Sequence, residues 1–349
     1  MYAKTTSMLI LLALPVLVLS GCQSGVDVQS NPTASEAASS QTGTTQQTES
    51  GGDGSTGTED DHDTDHTHAS PEPELSESQE VTESSSNYLS NYTLLDTEFG
   101  TEVTVNVTNG IRTIVSNSLP NHITGDFPNS GNPNSISAQS KSWSFPATGT
   151  STGVGVTARE PGVALNGVKF EPGTAETVTC QSGERYAVEG LQDVYDLGMD
   201  VNNAHVQPSG EYHYHGISEF LVDAFDDDAD LVLVGFAADG FLIYYSKSNA
   251  YKSGYKLSEE LRSGTSCVMS LTRGGSNAFD LDGTAPDGTY TSDWVLSPRS
   301  GSLDKCNGGM ISGEYAYLIT SSFPFISRCL MGEFTEKAGP NGPAGGPSR

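Results

Sequence analysis

The chain has 349 residues, enough for one or two domains, and its 44 acidic and 16 basic side chains give a formal charge of -28. Residues 23–86 hold 14 Asp and Glu and no Lys or Arg, and the chain from Asn87 onward still sets 30 acids against 15 bases. Such a surface repels the phosphates of DNA and RNA and of acidic lipid headgroups, and it attracts cations.

The N-terminus carries Lys4, then an apolar run of twelve residues from Met8 to Leu19. That run is too short for a permanent bilayer span and reads as the apolar region of a signal peptide over 1–21. Leu19-Ser20-Gly21-Cys22 resembles a bacterial lipobox. The resemblance implies cleavage before Cys22 and its lipidation, which places the chain in the cell envelope, attached to a membrane through lipid. By the same resemblance, Gln23 points to the outer membrane or cell surface. Residues 22–86 are Ser, Thr, Gln, Gly and acid with almost no large apolar side chains. They bury too little to offset the entropy of ordering, so a disordered tether is expected. Within it, D-D-H-D-T-D-H-T-H carries His62, His66 and His68, a stretch with metal-binding character. The Gly/Pro-rich end, 336–349, is expected to be a disordered tail.

Between these ends, 87–335 reads as one β domain of roughly 250 residues, large enough for a substantial core. T-E-V-T-V-N-V-T, Asn109-Gly110 and I-R-T-I-V form a hairpin signal, since Asn-Gly accepts the positive φ of a type I′ turn. Further strand-like runs are K-S-W-S-F, G-V-A-L-N-G-V-K-F, E-Y-H-Y-H, L-V-L-V-G-F, F-L-I-Y-Y, G-T-Y-T-S-D-W-V-L and Y-A-Y-L-I-T. Helical signals are few: Ser218 ahead of E-F-L-V-D-A-F and Ser258 ahead of E-E-L-R are candidate N-caps. The expected class is all-β, sandwich or barrel-like, with a few short helices. No Walker A phosphate loop and no H-E-x-x-H motif occurs.

The four cysteines left beside Cys22 would sit in an oxidising compartment. Cys306 and Cys329 flank the strand-like E-Y-A-Y-L-I-T and are expected to pair, which leaves Cys180 with Cys267. A crosslink of this kind stabilises by about 3 kcal/mol.

Of seven histidines, three fall within N-A-H-V-Q-P-S-G-E-Y-H-Y-H-G. In a strand His213 and His215 share one face, and Tyr212 and Tyr214 share the other, expected to be the core face. A three-residue loop Pro208-Ser209-Gly210 sets His205 opposite His213, about 5 Å away on the same face. A slip of one residue would move His205 to the tyrosine face. Three neutral imidazoles on one patch suit a transition metal, with copper and zinc the first candidates outside the cytoplasm. His122, in the loop L-P-N-H-I-T-G-D-F-P-N, is a candidate fourth ligand. Asp239, Asp126 and Asn203 are further candidates for the same pocket, the two carboxylates as ligand, partner of an imidazole N–H or general base. Asp239-Gly240 also reads as an ordinary turn. Arg328 is a candidate anion anchor or the partner of an acid.

In these stretches the chain resembles the YHYH-domain proteins, whose motif stands at Tyr212 to His215. The resemblance extends over 119–136, 162–172, 202–216, 235–244, 261–265, 287–290 and from Leu303 to Cys329. It implies a secreted or surface-exposed domain and brings no reaction with it. Three functions are compatible: metal binding through the histidine cluster, a metal-dependent hydrolase or oxidoreductase using the same cluster, and a module that binds a glycan, small molecule or protein with structural histidines.

Overall fold

The computed structural model describes residues 88–270, 277–297, 301–311 and 313–335. The expected signal peptide, Cys22, the expected tether with its histidines and the expected tail over 336–349 lie outside the described residues. Among those described, no helix is long and apolar enough to cross a membrane.

Asn109 and Gly110 both take positive φ, 53° and 76°, and join Thr101–Thr108 to Ile111–Ser116. With Tyr92–Asp96 and Lys141–Pro146 these strands make an antiparallel four-stranded sheet in sequence order. Alternation puts Val103, Val105, Ile114, Trp143 and Phe145 on its buried face. A second sheet has eight strands in the order Ala204–Val206, Tyr212–Tyr214, Lys169–Phe170, Gly162–Ala164, Leu231–Ala237, Leu242–Ser246, Glu314–Ile319 and Gly308–Ile311. Tyr212–Tyr214 runs parallel to Lys169–Phe170, and Leu242–Ser246 runs parallel to Glu314–Ile319. Val163, Phe170, Tyr212, Tyr214, Val234 and Phe236 from this sheet join the buried residues of the first in one core cluster. The fold is therefore all-β, two sheets sharing a core, with smaller sheets added.

One of these, Val268–Met269, Gly173–Thr179 and Arg185–Glu189, closes over a separate cluster that includes Val178, Tyr186, Val188 and Tyr290. The disulfide Cys180–Cys267 lies in that cluster, and Cys306–Cys329 forms the second crosslink, so both expected pairings are present.

Ser218 caps the helix Glu219–Phe225, its Oγ accepting from the Leu221 N–H at 3.1 Å. The expected helix after Ser258 does not form. There the Ser258 Oγ accepts from the Glu260 N–H two residues on, and the Arg262 guanidinium is drawn to Asp287 and Asp293. G-V-A-L-N-G-V-K-F is two short strands rather than one, because Gly167 turns the chain at φ 76°. G-T-Y-T-S-D-W-V-L divides into a 3-10 turn, Thr291–Asp293, and the strand Trp294–Leu296. Strands Gly173–Thr179, Arg185–Glu189 and Ser151–Thr157 carry too many small or polar residues to announce themselves by apolar alternation.

Candidate metal centre

The N-A-H-V-Q-P-S-G-E-Y-H-Y-H segment folds as its spacing requires. Gly210 takes φ 85° and its N–H donates to the Gln207 carbonyl at 2.8 Å, while the Gln207 N–H donates to the Glu211 carbonyl at 2.9 Å. The resulting register sets Val206 against Tyr212, His205 against His213 and Ala204 against Tyr214. All three histidines therefore share one face.

Their rings meet almost symmetrically, with centroids 4.7, 4.7 and 4.8 Å apart. The His215 Nε2 lies 3.1 Å from that of His205 and 3.0 Å from that of His213. The Nδ1–H of His205 donates to the Leu197 carbonyl at 2.9 Å, and that of His213 approaches the Glu211 carbonyl at 3.4 Å. These contacts select the Nδ1–H tautomer and leave bare Nε2 lone pairs aimed at the centre of the cluster. Burial pushes all three imidazoles below their ordinary pKa, His213 and His215 far below, helped for those two by the neighbouring rings. Neutral rings with converging lone pairs repel one another unless a proton or cation lies between them, and this is the donor form that zinc and copper take. Among the described residues, this cluster of histidines is the group whose donor atoms could hold a metal ion.

Ionic side chains flank it on the same face. The parallel pairing sets Lys169 beside His213, and the Glu171 N–H donates to the Tyr214 carbonyl, which carries Glu171 up to His215. The Lys169 side chain is 2 % exposed, and its Nζ lies 2.7 Å from Glu171, 3.1 Å from Glu160 and 3.6 Å from Glu211. Gln207 donates to Glu171 Oε2 at 2.6 Å, a bond that crosses over the intervening histidine strand. Burial pushes the Glu171 carboxyl up, but the Lys169 ammonium and Arg159 outweigh it and hold it below the usual range. In the sequence the one signal for these groups is V-K-F-E, which places two charges at period two inside a strand-like run.

His122 lies apart from the cluster. Its Nδ1–H donates to the Ile123 carbonyl at 2.9 Å, and its Nε2 accepts from the Tyr214 hydroxyl at 2.7 Å. Tyr214 is fully buried on the face of the strand opposite the histidines, so the loop bearing His122 packs against the tyrosine side. Asp239 does not reach the cluster either. It closes its turn by accepting from the Tyr317 hydroxyl at 2.6 Å and from the Gly332 and Phe241 N–H groups. Asp126 is exposed, its carbonyl accepting from Asn129. The Asn203 amide donates to the Ile217 carbonyl. Arg328 pairs with Glu189 at 2.5 Å, the acid-partner alternative. Tyr212 and Tyr214 face the core as expected.

Fold and cluster together define an all-β domain with a three-imidazole face on a short hairpin. The family model described as YHYH protein matches residues 142–332, more than half of the chain, and the chain belongs to that family. No curated protein and no solved structure matches it. The matched span contains all three clustered histidines and begins after His122.

Proposed function

We propose that this YHYH protein is a cell-envelope lipoprotein, anchored by lipid on Cys22 and carried on its acidic tether, that binds one copper or zinc ion through His205, His213 and His215. The observation that carries the metal reading is the convergence of three Nε2 atoms, two of them in rings whose Nδ1–H is turned away to a carbonyl. The location rests on the sequence of the N-terminus. A metal-dependent enzyme is the second reading, favoured by the donor count: three protein ligands leave a coordination position open, as in catalytic zinc sites and unlike closed structural ones.

The test is metal analysis of the full chain, purified without a histidine tag and equilibrated with Cu(II) or Zn(II), beside its His213→Ala/His215→Ala variant. One equivalent of metal in the parent chain and none in the variant is expected. Absence of stoichiometric metal in the parent, or equal metal in both, would overturn the reading.

A further inference from the structure

Two of the three imidazoles are indexed by hydrogen bonds, His205 to the Leu197 carbonyl and His213 to the Glu211 carbonyl. His215 has no such anchor: its Nδ1 is buried and without a hydrogen-bond partner. Yet its Nε2 stands at 3.0 and 3.1 Å from those of the other two rings. Something other than a hydrogen bond must set its rotation.

What lies against the ring is Gly190. A Cβ built on this residue would stand 2.7 Å from His215 Nδ1, 3.0 Å from its Cγ and 3.2 Å from its Cβ, so the bare Cα is flush with the ring edge that faces away from the cluster. The backbone there is held on several sides. Glu189, immediately before it, pairs with Gly173 across the sheet, donates its N–H to the Thr289 carbonyl, and has its buried carboxylate bound by Arg328 and Thr291. Just after it, Leu191 lies against Gly216, where an added Cβ would meet its Cδ1 at 2.7 Å. Residues 189–191 thus cross over His215 and Gly216 as a fixed bar, and the glycine is the place where the bar is thin enough for an imidazole.

We propose that Gly190 is a positioning residue of the metal centre: its side-chain-free Cα sets the rotation of the His215 ring, and through it the placement of the third Nε2. The inference rests on the metal reading for its functional consequence and on the contact alone for its structural one. An added methyl must push Nδ1 back by roughly 0.7 Å to regain ordinary van der Waals separation. Because the backbone is pinned, the ring moves and carries its Nε2 out of the converged position.

The test compares the full chain with Gly190→Ala and with Gly173→Ala, the latter being an exposed position on the paired strand where a Cβ meets nothing within 4 Å. Affinity is read by competition of Cu(II) against a chelator, the bound ion by electron paramagnetic resonance, and the metal-free His215 ring by its NMR signals. Gly190→Ala is expected to weaken Cu(II) about 10–100-fold, the size of effect typical for groups that orient a ligand, to alter the copper spectrum, and to shift the His215 ring signals. Gly173→Ala should change none of these. Unshifted His215 signals in Gly190→Ala would overturn the proposal. If the parent chain takes no metal, the metal reading fails by itself, and the ring signals still decide whether Gly190 positions His215. If Gly190→Ala is too unstable to load, the same substitution in a His215→Ala background decides the matter. Recovered stability there supports the contact, and persistent instability overturns it.

Discussion

The two faces of Tyr212–Tyr214 and its flanks are built from the same few residues and solve opposite problems. On the tyrosine face every polar tip reaches a different partner. Tyr212 donates to Asp200 at 2.7 Å, and Tyr214 donates to His122 while accepting from Asn166 at 2.9 Å. On the histidine face three acceptor nitrogens are turned toward one another instead. Buried polar groups normally disperse to separate partners, because an unmatched one costs about 1–3 kcal/mol. A face that concentrates them has the arrangement a bound cation would need, whereas a face that disperses them satisfies each group within the fold. By that measure His122 is a group satisfied within the fold, although its residue type alone made it a candidate.

Exchanging a group on each face should separate the two roles. The largest effect is expected from His205→Ala. Its metal affinity should fall by more than the ~10–100-fold usual for a change one step removed from a metal ligand, while the thermal midpoint of the metal-free chain stays near that of the parent. A variant that still holds one equivalent tightly would break the distinction. Tyr214→Phe should do the reverse. Removal of its hydroxyl leaves the buried His122 Nε2 without its donor, at a cost of about 1–3 kcal/mol of folding stability read from denaturant unfolding, with metal stoichiometry unchanged. The smallest effect concerns pH. The Glu171 carboxyl is held below its unfolded-state value, so its contribution is fully present above the ordinary carboxylate range and is lost as pH falls through the lowered folded value. Glu171→Gln should therefore flatten the acid limb of the stability profile measured with metal absent, and an unchanged limb would remove Glu171 from that account.

Much of the centre was legible because it is local. Period-two alternation puts His213 and His215 on one face, and a three-residue loop ending in a left-handed glycine brings His205 opposite His213, so thirteen residues suffice to predict the triad from spacing alone. The Asn109-Gly110 hairpin was legible for the same reason, and Ser218 announced its helix by a cap that lies within one turn. Where the signal depended on competition, it failed. Ser258 offers the same cap chemistry, but Arg262 is claimed by two aspartates some thirty residues on.

The sequence by itself determined the all-β class and the gathering of three imidazoles on the hairpin face, both of which depend on residue type, alternation and short loops. Only the tertiary structure decided which groups surround that face. His122 meets Tyr214 across 92 positions, Lys169 and Glu171 arrive through a parallel pairing that no tight turn can specify, and Gly190 is laid on His215 by a strand from another sheet. Parallel pairings and sheet-to-sheet contacts are set by the packing of the whole core, so no stretch of chain carries their register.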